Sequence, residues 1–249
     1  MTNPKLSLLG LVLPLTGAVF ALPAAAQSAA SAPSSYLASV VRELQQAWPH
    51  NRTVTIASHG HSVPAGYART PEVRMADAYP WLLHEALTAR FPHAVINVTV
   101  TAIGGENSEK GASRFVADVL ALRPDVVTID YALNDRSIGL ARAETAWRSM
   151  ITACTARGIP VILLTPTGDL KAHLGDPNDP LNLHAAQVRR LAAEYGVGLV
   201  DSFALFQSYE QTHAGYGELM AQPNHPNRRG HELVAAQLLE WFPLPPAAR

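Results

Sequence analysis

The chain is predicted to fold as a three-layer α/β/α sandwich around a five-stranded parallel sheet. Three observations carry this. Strand-like and helix-like segments alternate five times along the chain. Several strand segments are apolar on both faces, such as PVILLT at 160–165, as strands covered by helices on both sides must be. A chain of 249 residues, 48% hydrophobic and 16% charged, can bury one full α/β core.

The elements follow in order. Leu37, Val40, Val41 and Leu44 are spaced for a helix over 36–48. Val54 and Ile56 begin the first strand, which runs into a turn where Gly60 and Gly66 bracket Ser62. Tyr79, Leu82, Leu83, Ala86, Leu87 and Phe91 mark the buried stripe of a helix within 71–91. AVINVTVT at 94–101 is the second strand, ended by Gly104-Gly105. A helix is expected over 109–122, a third strand over 125–131 (DVVTIDY), and a helix over 141–157 stopped by Gly158. The fourth strand at 160–165 is followed by an irregular insert at 168–182, rich in Asp, Asn, His and Pro. A helix over 183–195, a short strand over 198–201 and a last helix over 229–241 complete the pattern. Trp81, Trp147 and Trp241 fall on apolar stripes and are expected in the core.

Residues 1–26 read as a cleavable signal peptide. Lys5 gives a positive start, residues 6–22 an apolar run, and Ala24-Ala25-Ala26 a small-residue cleavage site. The alternative, an uncleaved anchor, is disfavoured by Pro14 and Pro23, which interrupt the run. The mature protein is then expected to be periplasmic or secreted, with no membrane association after cleavage. Residues 27–35 are a low-complexity polar linker, expected to be disordered, and 36–249 form one domain. The net charge of −1 gives no reason to expect nucleic acid or an anionic membrane as partner. The single cysteine, Cys154, excludes an internal disulfide and reads as a small buried hydrophobe. His59, His61, His173, His184 and His231 make no metal-ligand pattern, so neither metal nor cofactor is expected.

Four short stretches follow strands or precede the last helix: Gly60-His61-Ser62, Gly104-Gly105-Glu106-Asn107, Ala132-Leu133-Asn134-Asp135 and Asn224-His225-Pro226-Asn227. In a parallel sheet the first three share the carboxyl edge, where ligands bind. A serine, a histidine and several N–H donors at one point are the parts of an acyl-transfer site. Taken alone, the Ser62 stretch also fits an ordinary polar turn; the order of the other three favours chemistry.

In that order and spacing the stretches resemble the blocks of the SGNH (GDSL-like) hydrolase family, over the chain from about Thr53 to the last helix. The resemblance implies a flavodoxin-like sandwich and a serine esterase. Ser62 would be the nucleophile, His225 its base, and the Ser62 N–H, the Gly105 N–H and the Asn134 amide the oxyanion hole, with Gly104 competing with Gly105.

The chain departs from the family pattern at three places. His61 stands where an Asp usually precedes the serine, and Ala132 replaces a Gly. Gln222 occupies the place of the Asp three residues before the base. A triad carboxylate fixes the histidine tautomer and stabilises the imidazolium. Here a Ser–His dyad is expected, supported by Gln222 or a backbone carbonyl, or else an acid from elsewhere, with Glu106 and Asp135 the candidates. His61 is either a second catalytic histidine or, as favoured here, a structural polar residue bonded to its loop. Asp130 and Asp201, at strand ends, are expected to cap turns or pair with arginines. The function expected is removal of short acyl groups, acetyl above all, from an extracytoplasmic carbohydrate or glycan. A lipase, arylesterase or thioesterase on small esters is the alternative within the class, and a catalytically silent binding domain the alternative outside it.

Overall fold

The computed structural model describes residues 33–244, together with Met1. Residues 2–26 of the expected signal peptide lie outside the described residues, as does most of the expected linker; residues 33–35 of that linker are helical, within α1 (Pro33–Tyr36). Then come α2 (Ala38–Leu44), β1 (Thr53–Gly60), the single turn α3 (Ser62–Ala65), α4 (Tyr79–Arg90), β2 (Val95–Val100) and α5 (Ser108–Asp118). β3 (Val126–Asp130), the turn α6 (Ala132–Asp135), α7 (Leu140–Thr155), β4 (Val161–Leu164), α8 (Pro180–Tyr195) and β5 (Gly198–Val200) follow. The chain closes with α9 (Ser202–Thr212), β6 (Met220–Gln222), β7 (His225–Pro226) and α10 (Arg228–Leu239).

The five expected strands form one parallel sheet in the order β2-β1-β3-β4-β5. Successive strand residues point to opposite faces, so the sheet feeds two cores. Val54, Ile56, Val126, Ile162, Leu164 and Val200 pack with α2, α4, α9 and α10. Ala57, Val127, Ile129, Val161 and Leu163 pack on the other side with Phe115 of α5, Trp147 and Met150 of α7, and Val188 of α8. Every residue of β3 and β4 is buried, which is why those segments read as unbroken apolar runs. Cys154 is buried in the second core, and burial pushes its thiol up to about 12.

Several boundaries move for local reasons. α8 starts three residues earlier than the spacing predicts, because Pro180 takes the first helical turn and Asp179 accepts from the Leu181 N–H as its cap. The stretch 109–122 divides into α5 and a 3-10 turn at Leu120–Leu122. Trp81 is half-buried against His84 rather than in the core. Two features are not anticipated by the sequence pattern: α9, capped by Asp201, and the antiparallel hairpin of β6 and β7. That hairpin carries the last of the candidate residues.

Candidate active site

Strand order places the site. β1 is flanked by β2 on one side and β3 on the other, so the connection leaving β1 toward β2 and the one leaving β3 toward β4 diverge at the carboxyl ends of β1 and β3. Ser62 sits there. Gly60 ends the strand because nothing larger fits: a Cβ would lie 2.5 Å from the Asp130 carbonyl oxygen. The His61 N–H donates to that same carbonyl, and the chain turns into α3. Gly66, at φ 88°, closes the turn in the left-handed region. Ser62 is thus the first residue of a one-turn helix at the strand end.

The Ser62 hydroxyl meets His225 directly: Oγ and Nε2 are 2.8 Å apart, with the two residues only 6% and 4% exposed. His225 comes from the hairpin, where Gln222 is its cross-strand partner. The other ring nitrogen, Nδ1, lies 3.1 Å from the Ala68 carbonyl oxygen and 2.8 Å from Gln222 Nε2. The Gln222 amide is turned with its oxygen on the Thr70 N–H and its nitrogen donating to Asn224 Oδ1 and Thr70 Oγ1. Asn224 Oδ1 and Thr70 Oγ1 can take both amide hydrogens, and Nδ1 can then donate its own to the Ala68 carbonyl. That tautomer leaves Nε2 free to accept the Ser62 proton. So a backbone carbonyl, rather than the Gln222 oxygen, orients the base. Burial holds the His225 pKa below the ordinary histidine value; the Ala68 carbonyl opposes this and His61 adds to it.

Neither sequence candidate for a displaced acid reaches His225. Glu106 is turned to Arg114, whose Nη2 is 2.6 Å away. Asp135 is buried and accepts from the Ser108 N–H and from Trp147 Nε1, each at 2.7 Å. Both carboxylates brace the fold around the site. Asp201, as expected, pairs with Arg189 and caps α9. Asp130 does not pair with an arginine: its Oδ1 faces His61 Nε2 at 3.5 Å, and its Oδ2 accepts from the Tyr79 hydroxyl. His61 accepts from the Val63 N–H through Nδ1 and so caps the nucleophile turn, with Ser62 Oγ 3.4 Å from the same nitrogen.

The sequence candidates for binding an anion, Gly104, Gly105 and Asn134, differ in their surroundings. Gly105 has φ 80° and open space where a Cβ would stand. Gly104 is packed instead, since a Cβ there would meet the Tyr67 ring at 2.7 Å. Neither the Ser62 nor the Gly105 N–H donates to a backbone group among the described residues. Asn134, on α6 after β3, donates one Nδ2 hydrogen to the Glu106 carbonyl at 2.8 Å, which fixes the amide and leaves the second hydrogen free. Beside Asn134 opens a cleft of about 560 Å³, walled by Leu133, Arg136 and Ser137 on one side and by Lys171, Ala172, Asp179 and Pro180 of the 168–182 insert on the other. Among the described residues no three His, Cys, Asp or Glu side chains converge as a metal cage. His59 and His231 are buried and hydrogen-bonded, and burial lowers their pKa values to about 4 and about 3.

The chain belongs to the GDSL-like lipase/acylhydrolase family, whose profile matches residues 58–233 and so spans all four stretches. It is a carboxylic ester hydrolase of the SGNH type. Among curated proteins none matches it by sequence. Solved structures resemble its fold. The acetylxylan esterase Axe2 from Geobacillus stearothermophilus is 22% identical, with a TM-score of 0.66 over 77% of this chain and 95% of that one. A two-domain esterase active on acetylated mannans is also 22% identical, with a TM-score of 0.65 over 83% of this chain and 52% of that one. Catalytic variants of Axe2 replace a serine, an aspartate and a histidine, the aspartate three positions before the histidine. That is the spacing at which this chain carries Gln222 before His225.

Proposed function

We propose that the protein hydrolyses acetyl esters on an extracytoplasmic carbohydrate or glycan, with Ser62 as nucleophile and His225 as base. The observation that carries the reading is the 2.8 Å contact between Ser62 Oγ and His225 Nε2 at the divergence of the strand connections, with the Ala68 carbonyl 3.1 Å from the ring's other nitrogen. Ser62 attacks the acyl carbonyl while His225 takes the hydroxyl proton. The Ser62 and Gly105 N–H groups and the free Asn134 amide hydrogen receive the oxyanion. His225 returns its proton to the departing sugar oxygen, and water then cleaves the acetyl-enzyme by the same route reversed.

The carbohydrate substrate is supported by the resemblance to esterases acting on acetylated xylan and mannan, and by the polar insert that walls the cleft beside Asn134. The leader-like segment at 1–26 supports export to the periplasm or beyond. The test is a panel of acetylated xylo- and manno-oligosaccharides beside p-nitrophenyl esters of rising chain length, assayed on the secreted form. Acetate should be released from the glycans, turnover should fall with chain length, and Ser62→Ala should abolish both. Preference for long acyl chains, or activity only on small aryl esters, would favour the lipase or arylesterase reading. No turnover of any ester would return the silent binding domain. N-terminal sequencing of the exported protein should begin at Gln27.

A further inference from the structure

Among the described residues no carboxylate bonds to the His225 ring. A buried carboxylate instead faces His61, the residue before the nucleophile. We propose that Asp130 and His61 form a positioning pair that replaces the missing acid: Asp130 supplies from β3 the negative charge that Gln222 does not supply from the hairpin. The inference rests on the reading of Ser62 and His225 as nucleophile and base.

Four observations carry it. His61 and Asp130 are each almost fully buried, with side chains 1% and 3% exposed, so their interaction is not screened by water. His61 Nε2 and Asp130 Oδ1 have no hydrogen-bond partner and face each other at 3.5 Å. A polar pair left in this state within a core is costly, and its persistence calls for a reason. The tautomer of His61 is determined independently: its Nδ1 accepts from the Val63 N–H, so the neutral ring carries its hydrogen on Nε2, toward Asp130. And among the described residues no lysine or arginine pairs with Asp130; its other oxygen has only the Tyr79 hydroxyl, at 3.3 Å.

The pair acts on the reaction in two ways. Asp130 holds the His61 ring so that Nδ1 caps the nucleophile turn, which aims Ser62 Oγ at His225. A carboxylate held beside His61 would also favour the imidazolium that forms on His225 when Ser62 gives up its proton. The groups that face His61 are few: Asp130 from β3, Asp135 from α6 at electrostatic range, the Tyr131 ring with its centroid 6.5 Å away, and His225 from β7. A proton on His61 would cancel the benefit, because a cation there lowers the His225 pKa. The site carries its charge on one arm and its base on the other.

The experiment compares pH–rate profiles of the wild type, Asp130→Asn, Gln222→Asp and the double variant on p-nitrophenyl acetate. Asp130→Asn keeps the shape and removes the charge. Its kcat should fall roughly 10- to 100-fold, as for one to two pK units of lost charge stabilisation, with KM changed less than about twofold. The acidic limb should move to lower pH. Gln222→Asp should restore much of the loss in the Asp130→Asn background and give the wild type little or nothing. A structural role alone would leave the limb in place and would not be rescued by an acid on the hairpin, and either result overturns the proposal. If Asp130→Asn does not fold, Gln222→Asp by itself still decides: a gain of about tenfold or more in the wild type would mean the charge was missing after all. Ser62→Ala and His225→Ala separate the two levels. Activity surviving Ser62→Ala defeats the assignment of the nucleophile; a dead Ser62→Ala with an Asp130→Asn variant that behaves as wild type defeats only the pair.

Discussion

Two histidines flank Ser62, and they are built differently. His225 rides on a short antiparallel hairpin outside the main sheet, its Nδ1 donating to the Ala68 carbonyl and its Nε2 at 2.8 Å from Ser62 Oγ. His61 lies in the chain beside the nucleophile, its Nδ1 accepting from the Val63 N–H and its Nε2 facing Asp130. The first has the geometry of a base and no carboxylate; the second has the carboxylate and the wrong geometry for a base, since its near nitrogen is 3.4 Å from Ser62 Oγ and is already engaged as a cap. On the reading proposed above, orienting an imidazole and neutralising it are separable tasks. A carbonyl does the first, and a charge can do the second only if it lies within the same dry volume.

The sharpest way to break the comparison is to remove a part that serves neither histidine. Asn134→Ala should cost roughly 10²–10³ in kcat with KM little changed, as for loss of one oxyanion donor. A loss confined to KM would mean that Asn134 binds the sugar, through the cleft it borders, and takes no part in the chemistry. Next in size is the packing that supports the hairpin arm. Gly104→Ala places a methyl group 2.7 Å from the Tyr67 ring, and Tyr67 lies with its ring 6.0 Å from that of His225. Overpacking of this kind costs about 1–3 kcal/mol, so thermal melting should show a lower Tm together with reduced kcat. Gly105→Ala should show strain from its positive φ but no collision. Equal effects at the two glycines would contradict the different roles given to them.

The smallest effects are in pH dependence. Burial lowers the His225 pKa, so the base stays neutral and competent to below the free histidine value of about 6.5. The acidic limb of kcat/KM should therefore fall below that pH; a limb above it would require a carboxylate against the ring. Stability should fade over a related range for another reason. His59 and His231 are held neutral, with pKa values lowered to about 4 and about 3. Below about pH 6.5 the unfolded chain binds more protons than the folded one, so Tm should drop as pH falls toward 4. Melting followed alongside activity separates the two.

Much of this site is legible in the amino-acid sequence. Ser62, Gly105, Asn134 and His225 follow strands or precede the last helix, and three of the four short stretches carry a glycine or proline, the one around Asn134 carrying neither. What is not legible there depends on register or on backbone. The acceptor of His225 is the carbonyl of Ala68, which no side-chain pattern can signal. Asp130 meets His61 because β1 and β3 pair with Gly60 opposite Asp130, a register that strand sequences do not state. Glu106 and Asp135 are attractive by neighbourhood, yet Arg114 and Trp147 hold them elsewhere. α9 is hidden because SFALFQSYEQT is rich in aromatic, Ser and Thr residues of modest helix propensity, while its cap, Asp201, reads as a strand end.

The central claim is that Ser62 is acylated with His225 as its base. Its most direct test is labelling of the folded protein with a serine-reactive phosphonate, followed by peptide mass spectrometry. The prediction is one adduct, on Ser62, formed at least about a hundredfold more slowly in His225→Ala. An adduct on any other residue, or labelling of Ser62 at an undiminished rate without His225, would contradict it.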